Sequence, residues 1–471
     1  HKAIRRQCQM CIRDRFNSGR SEFIAIYGRR RVGKTYLVRE TLGNKFSFSY
    51  SGIADVSTKV QLQNFHNALS LHGYTKSRVP SNWIDAFYDL SCYLSSLPEG
   101  KKVVFLDELP WMDGPKSSFL PAFENFWNGW ASARKDILLI ICGSATSWIV
   151  KKIFHNKGGL HNRLSDRIYL KPFTLRECEK YAQSEKLGMS RQIVLEAYMV
   201  FGGVPYYWSM LKRGMSLSQN INSLFFSRDA NLKDEFKELY SSLFKNPEPY
   251  MAIITALGKK RTGMTRDEII KEASLPDTGR IKTYLDDLES CGFIRRYNQL
   301  GAKIKNTVFQ LIDNFTLFHF KFLSDKAIND EGYWSKIQNS PIFYNWSGYA
   351  FERVCLLHSN LIKRALGIEG VLTSEYSWRT PPKDGMSGAE IDLLIDRNDK
   401  AINIIEMKYV KAKFTIDGKY MDVLLNTVSR LRDVTKTSKS IFLTMLTSGG
   451  LSANGYSQEI DKSFDMSILF E

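Results

Sequence analysis

Three groups of residues have the types and the spacing to do chemistry. The first is Gly28-Arg29-Arg30-Arg31-Val32-Gly33-Lys34-Thr35, which follows the apolar run Phe23-Ile24-Ala25-Ile26 almost without a break. Its glycines let the backbone wrap so that N–H groups converge on phosphate oxygens. Lys34 then reaches the β- and γ-phosphates, and the Thr35 hydroxyl takes a position on Mg²⁺. The second group is Asp107-Glu108, at the end of Val103-Val104-Phe105-Leu106. Asp107 can hold Mg²⁺, directly or through water, and Glu108 can orient or deprotonate an attacking water; two solvated acids capping a strand are the alternative. The third is Asp392, Glu406 and Lys408. Two carboxylates and an amine suit metal-assisted phosphodiester hydrolysis, with Asp392 and Glu406 on Mg²⁺ and Lys408 positioning water or steadying charge.

These side chains need elements to hold them. Phe23–Ile26 reads as a strand entering the glycine loop, and Tyr36–Glu40 as the helix leaving it with its positive end on the anion. Phe46–Tyr50 alternates as a strand, and residues 57–99 are helical in pattern, with Trp83, Phe87, Leu90 and Tyr93 spaced as a core face. Lys101–Glu108 is a buried parallel strand, and its carboxyl end is where open α/β sheets bind ligands. Asp136–Ser144 is another. Ser144 could sense the γ-phosphate beside Asp107, or cap a helix. Arg163, after Gly158-Gly159, is a candidate to stabilise charge on a transferred phosphoryl group, within its own chain or toward a neighbouring subunit; an idle exposed arginine is the alternative. Phe201-Gly202-Gly203-Val204-Pro205 is a rigid turn, in which Pro205 could cover an adenine face or mark a plain helix corner.

Further along, Thr265-Arg266-Asp267-Glu268 is a capping box opening a helix. A second helix follows, ending at Cys291-Gly292. The strands Phe293–Tyr297 and Thr307–Leu311, with Gly301 in the turn, complete a winged helix. Acidic residues Asp286, Asp287 and Glu289 on its second helix argue for a structural lid or weak DNA contact over a deep groove reader. Ala389–Asp396 and Ala401–Lys408 form a hairpin about Asn398-Asp399, which brings Asp392 nearly opposite Ile405 and Glu406. Glu406 and Lys408, two apart, share a face.

Composition bounds the rest. The length suggests about three domains, and 43% hydrophobic residues suffice for real cores. The seven cysteines are odd in number and scattered, which points to a reducing compartment; Cys8-x-x-Cys11 has no second pair. No apolar run is long enough for a membrane span, no secretory leader is evident, and the cytoplasm is the default. The net charge of +17 is concentrated in residues 1–45, which carry +9. Part belongs to the glycine loop and part to Lys2–Arg15, a stretch without usable periodicity that resembles translated sequencing adaptor; a basic helix is the alternative. The remaining excess supports an anionic partner weakly.

The glycine loop, Leu106-Asp107-Glu108, Gly143-Ser144 and Gly202-Gly203-Val204-Pro205 together resemble the archaeal-type ATPase family, an AAA+-related group of P-loop proteins. The resemblance covers roughly residues 20–471. It implies an α/β P-loop NTPase with a parallel sheet, then a helical lid, a winged helix and a C-terminal α/β restriction-endonuclease-like domain. The C-terminal pattern resembles the PD-(D/E)xK nucleases, which puts Glu352 in the place of their helical acid and adds it to the metal set. The expected boundaries are a set-aside segment over 1–19, the ATPase domain over 20–205, lid 206–245, winged helix 246–312, helical connector 313–345 and nuclease-like domain 346–471. The implied ligands are ATP and Mg²⁺, and the implied partner is DNA, with a protein partner or a second copy also in view. Three functions stay open: an ATPase coupled to a DNA-acting nuclease-like domain, an ATP-driven switch on a protein partner with an inert last domain, and an ATP-dependent DNA-binding module.

Overall fold

The computed structural model describes residues 5–76, 78–144, 146–155, 158–160, 162–244, 246–300, 307–324, 330–382 and 387–471. The chain forms two compact units, His1–Pro172 with Glu238–Pro247, and Phe173–Lys237 with Glu248–Glu471.

The first unit is built on strands β1 (Glu22–Tyr27), β2 (Phe46–Ser51), β3 (Lys102–Asp107), β4 (Ile137–Gly143) and β5 (Asp166–Tyr169). All pair in parallel, in the order β2-β3-β4-β1-β5. Such a sheet is covered on both faces, which is why the interiors of the central strands β1, β3 and β4 are continuous apolar runs, while the edge strands β2 and β5 are mixed. Alternate residues part to opposite layers. Phe23, Ala25, Val104, Leu106, Leu139 and Ile141 join the core with helices α3 (Thr58–Leu71), α4 (Trp83–Ser96) and α5 (Phe119–Gly129). Ile24, Ile26, Val103, Phe105, Leu138 and Ile140 join the other, with α1 (Arg6–Phe16) and α2 (Lys34–Leu42). Trp83, Phe87, Leu90 and Tyr93 are buried core residues, as their spacing predicts.

Residues 6–16, a stretch without usable periodicity in sequence, take the basic-helix alternative. They form a helix whose Ile12 is fully buried, with Cys8, Cys11 and Phe16 packed beside it. Positions 8, 12 and 16 lie one turn apart. The stripe escapes notice because it is made of a cysteine, one isoleucine and one phenylalanine among arginines.

In the second unit a two-helix hairpin-like segment, Leu175–Ser184 and Arg191–Phe201, ends at Gly202-Gly203. A Cβ on Gly203 would stand 1.9 Å from the Phe173 carbonyl oxygen, and Phe173 N–H donates to the Gly203 carbonyl at 2.6 Å. This turn is glycine because two backbones meet there. Next come the helix Glu248–Lys259, β6 (Met264–Thr265), the helices Arg266–Glu272 and Arg280–Ser290, and the antiparallel strands β7 (Ile294–Gln299) and β8 (Val308–Leu311). Thr265 and Glu268 make the reciprocal cap expected of them. Gly301 lies outside the described residues.

The C-terminal part contributes β9 (Thr373–Thr380), β10 (Ala389–Arg397), β11 (Ala401–Lys408), β12 (Ser440–Thr447) and β13 (Lys462–Asp465). The sequence reading separates residues 246–312 from 346–471, yet they share one eight-stranded sheet, β13-β12-β11-β10-β9-β7-β8-β6. The join is parallel pairing of Asn298 with Tyr376 and Gln299 with Ser377. It exists because β7 runs two residues past the Tyr297 end that alternation suggests. The helix carrying Glu352 likewise starts at Pro341, across the expected boundary, with Ser340 accepting from Phe343 N–H as its cap. Among the described residues no helix is long and apolar enough to cross a membrane.

The burial of Ile12 yields a prediction. Ile12→Ala should lower stability by about 2–5 kcal/mol, whereas the exposed Arg13→Ala should change it by less than about 0.5 kcal/mol. Denaturant unfolding of the two variants checks this.

Candidate functional site

The glycine loop sits at the carboxyl end of β1. Gly28 (φ 145°) and Gly33 (φ 88°) occupy backbone conformations closed to most side chains. A Cβ on Gly28 would also lie 2.3 Å from the Leu170 carbonyl oxygen. Arg31 takes a positive φ as well. Gly33 directly precedes α2, so that Lys34 and Thr35 begin the helix. Arg29, Val32 and Lys34 are buried, and Arg30 is half-buried. The Lys34 ammonium donates to the Gly28 carbonyl at 3.0 Å and the Arg29 carbonyl at 3.1 Å. The amine thus points into the concavity that the loop makes.

Thr35 Oγ1 donates to Asp107 Oδ2 at 2.6 Å, joining two of the three sequence groups. Burial raises the Asp107 pKa, with Glu108 adding to the effect and the Thr35 hydrogen bond opposing it. A hydroxyl and a carboxylate in contact are hard oxygen donors that fit Mg²⁺. Glu108 adopts φ 47°, which turns its side chain away from the strand direction. Ser144 holds it: its Oγ lies 2.6 and 2.7 Å from the carboxylate oxygens, and its N–H donates at 3.2 Å. Ser144 follows β4, the strand between β1 and β3. Arg163 is exposed, with Nε 3.4 Å from the Gly159 carbonyl. Pro205 belongs to the second unit, where it is buried at the start of the short helix Pro205–Trp208.

The third group lies on the second unit's sheet. The pairing of β10 with β11 ends at Leu393–Ile405, and the register of β10 with β9 shifts between Ile391 and Leu394, so Asp392 lies just past the last pair, within that irregularity. Lys408 Nζ is 2.9 Å from Glu406 Oε1, and Tyr420 Oη donates to the same oxygen at 2.6 Å. Burial, then Glu406, pushes the Tyr420 pKa up. Glu352 is buried and faces Asp392, but a cation stands between them: Arg261 Nη2 bonds both Glu352 oxygens and lies 3.5 Å from Asp392 Oδ2. Burial and then Asp392 push Glu352 up to about 7, against the pull of Arg261 and Arg353. Among the described residues no group of three or more His, Cys, Asp or Glu is gathered for a metal. As arranged, Glu352, Asp392 and Glu406 do not fit a shared divalent ion.

Arg261 is the residue that sequence reading misses. It sits in Lys259-Lys260-Arg261 at a helix end, where nothing local links it to Glu352. Tyr409 is another. It follows Lys408, and its hydroxyl donates to Glu196 Oε1 at 2.8 Å, tying the helix Arg191–Phe201 to the end of β11.

Residues 10–211 match the model of an ATPase domain found predominantly in Archaea. The chain carries an archaeal-type ATPase domain. An uncharacterized protein of Methanocaldococcus jannaschii is 23% identical over 412 residues, covering 85% of this chain and 86% of the relative. Among solved structures, a Walker-type ATPase of Pyrococcus abyssi is 14% identical with a TM-score of 0.48, covering 68% of this chain and 95% of that one. The ORC2 protein of Aeropyrum pernix, in its ADPNP–ADP complexes, is 15% identical with a TM-score of 0.40, covering 67% and 92%. The glycine loop, Asp107, Glu108, Ser144 and Arg163 all fall inside the matched ATPase domain.

Lys34→Ala in this domain should weaken ATP binding at least about tenfold, or roughly 1.4 kcal/mol. Titration with a fluorescent ATP analogue checks it.

Proposed function

We propose that this P-loop protein binds and hydrolyses ATP, and that its nucleotide state is coupled to a nuclease-like C-terminal part acting on DNA. The observation that carries the ATPase half is the contact of Thr35 with Asp107 beneath a loop already lined by Lys34. In this reading the loop N–H groups of Gly28 to Gly33 hold the phosphates, and Lys34 exchanges two carbonyls for β- and γ-oxygens. Mg²⁺ on Thr35 and Asp107 would neutralise charge between those phosphates. Glu108 orients the water whose oxygen attacks the γ-phosphorus. That water's proton passes to the carboxylate as the bond to the ADP oxygen breaks. Ser144 keeps Glu108 aimed. Arg163, being exposed, is available to its own site or to that of a second copy.

For the second half, Asp392, Glu406 and Lys408 are the groups that would act on a phosphodiester. The helices Arg266–Glu272 and Arg280–Ser290 with β7 and β8 make a winged helix. The acids of its second helix are already engaged: Arg296 bonds Asp286 and Glu289, and Tyr250 bonds Asp287. They therefore repel DNA phosphates less than their sequence implies. Continuity of the sheet and the Tyr409–Glu196 bond support coupling within the second unit, because both link the C-terminal strands to earlier segments.

A second reading is an ATP-driven switch acting on a protein partner, with the last domain inert. The Arg261 bridge favours it, since it leaves the acidic pair closed.

Cleavage of plasmid and linear DNA with Mg²⁺ or Mn²⁺, with and without ATP, separates the two. Products that vanish in Asp392→Ala and change in Lys34→Ala are expected. ATP hydrolysis without cutting under any condition would transfer the assignment to the switch.

A further inference from the structure

Within the second unit, the helices Glu248–Lys259, Asn314–Phe322 and Pro341–Leu357 and the strand β8 border a cavity of about 250 Å³. Leu257, Leu311, Leu317, Phe320, Trp346 and Ala350 give it apolar walls. Two of its lining side chains are deeply buried and carry unsatisfied polar atoms. Trp346 is 5% exposed, and its indole Nε1 has no hydrogen-bond partner. Arg353 is 2% exposed; its Nη2 donates to the Arg261 carbonyl at 2.8 Å, while Nε and Nη1 have no partner. Burial pulls the Arg353 pKa down, and the charges of Glu352 and Asp392 oppose that pull. The Glu352 carboxylate is bonded by Arg261 instead. A buried guanidinium left without a counter-ion is costly, and the indole N–H adds to the deficit.

The unsatisfied atoms are all N–H donors, so what satisfies them is an acceptor. Charge says the same. Among the described lining residues Lys259, Arg261, Lys321 and Arg353 are cationic and none is acidic. Lys259 is paired with Glu272 and Arg261 with Glu352, which leaves Lys321 and Arg353. Lys321 is exposed and outside every ion pair of the described residues. The complementary occupant is therefore an acid carried on an apolar body. An apolar cavity of about 150 Å³ takes benzene, and in proportion this one admits roughly ten non-hydrogen atoms. The rings of Phe320, Trp346 and Tyr349 along the wall favour an aromatic body, which packs edge-to-face or offset against them.

We propose that this cavity binds a small aromatic carboxylate, its ring among the apolar side chains and its acid on Arg353 and Lys321. The site goes beyond the ATPase and nuclease-like readings and depends on neither.

The test is calorimetric titration of the full, nucleotide-free chain with phenylacetate, and with phenylacetamide, phenethylamine and inorganic phosphate for comparison. Phenylacetate should bind at least about tenfold more tightly than the neutral amide, because hydrogen bonds to a charged group are the stronger ones. The amine and free phosphate should bind more weakly still. Arg353→Met removes the buried charge at similar length and should erase the preference for the acid. Lys321→Ala, on an exposed residue, should weaken phenylacetate about two- to fivefold. Ala350→Phe fills the cavity and should abolish binding. Should Arg353→Met or Ala350→Phe fail to fold, Leu317→Trp fills the same space from a half-buried position, with the same loss expected. Equal affinity for acid and amide overturns recognition of the anion, and phosphate binding as tightly as phenylacetate overturns the aromatic occupant. Phenylacetate binding that survives Ala350→Phe or Leu317→Trp lies elsewhere and overturns the site, as does no binding to the parent.

Discussion

A parallel sheet covered on both faces has little room for polar chemistry except at its ends. Phe23 to Ile26 and Ile137 to Cys142 are all fully buried, and successive residues go to opposite helical layers. The polar groups of the candidate nucleotide site are therefore displaced to the carboxyl edge, onto the loop after β1 or the tips of β3 and β4. Strand order then sets the distances. With β4 between them, β1 and β3 lie about 10 Å apart, and the gap is closed above the sheet by the first residues of α2. Thr35 can meet Asp107 because Gly33, in a left-handed conformation, turns the chain so that a helix begins at Lys34.

Much of this is legible in sequence because the same constraint writes it there. Doubly buried strands must be apolar runs, and phosphate loops need glycines at positive φ. Thr35 and Asp107, placed together by chemistry alone, do touch. Ser144 is legible only as a position: its grip on Glu108 depends on the left-handed turn of Glu108, which no residue type announces. The α1 stripe hides because cysteines among arginines carry weak periodicity. Pro205 stands in a different compact unit from the glycine loop, a division that follows from packing and not from any linker-like composition.

In the C-terminal part local geometry is readable and long-range geometry is not. The hairpin register follows from alternation and the turn as far as Leu393–Ile405, the last pair before Asp392. The Arg261 bridge and the Tyr409–Glu196 bond join residues far apart in sequence, and each depends on one side chain whose neighbours are fixed only by the fold. Functional electrostatics here is tertiary, and a motif lists the acids without listing what neutralises them.

The parallel join of β7 to β9 also bears on how the molecule can be taken apart. It rests on two residue pairs, Asn298–Tyr376 and Gln299–Ser377. A fragment beginning after residue 312 would retain β9 but lose the strand beside it. That would leave β9 as an open edge with unpaired N–H and carbonyl groups, a template for pairing with other chains. Residues 246–312 and 346–471, separable on paper, lie in one compact unit and share one sheet.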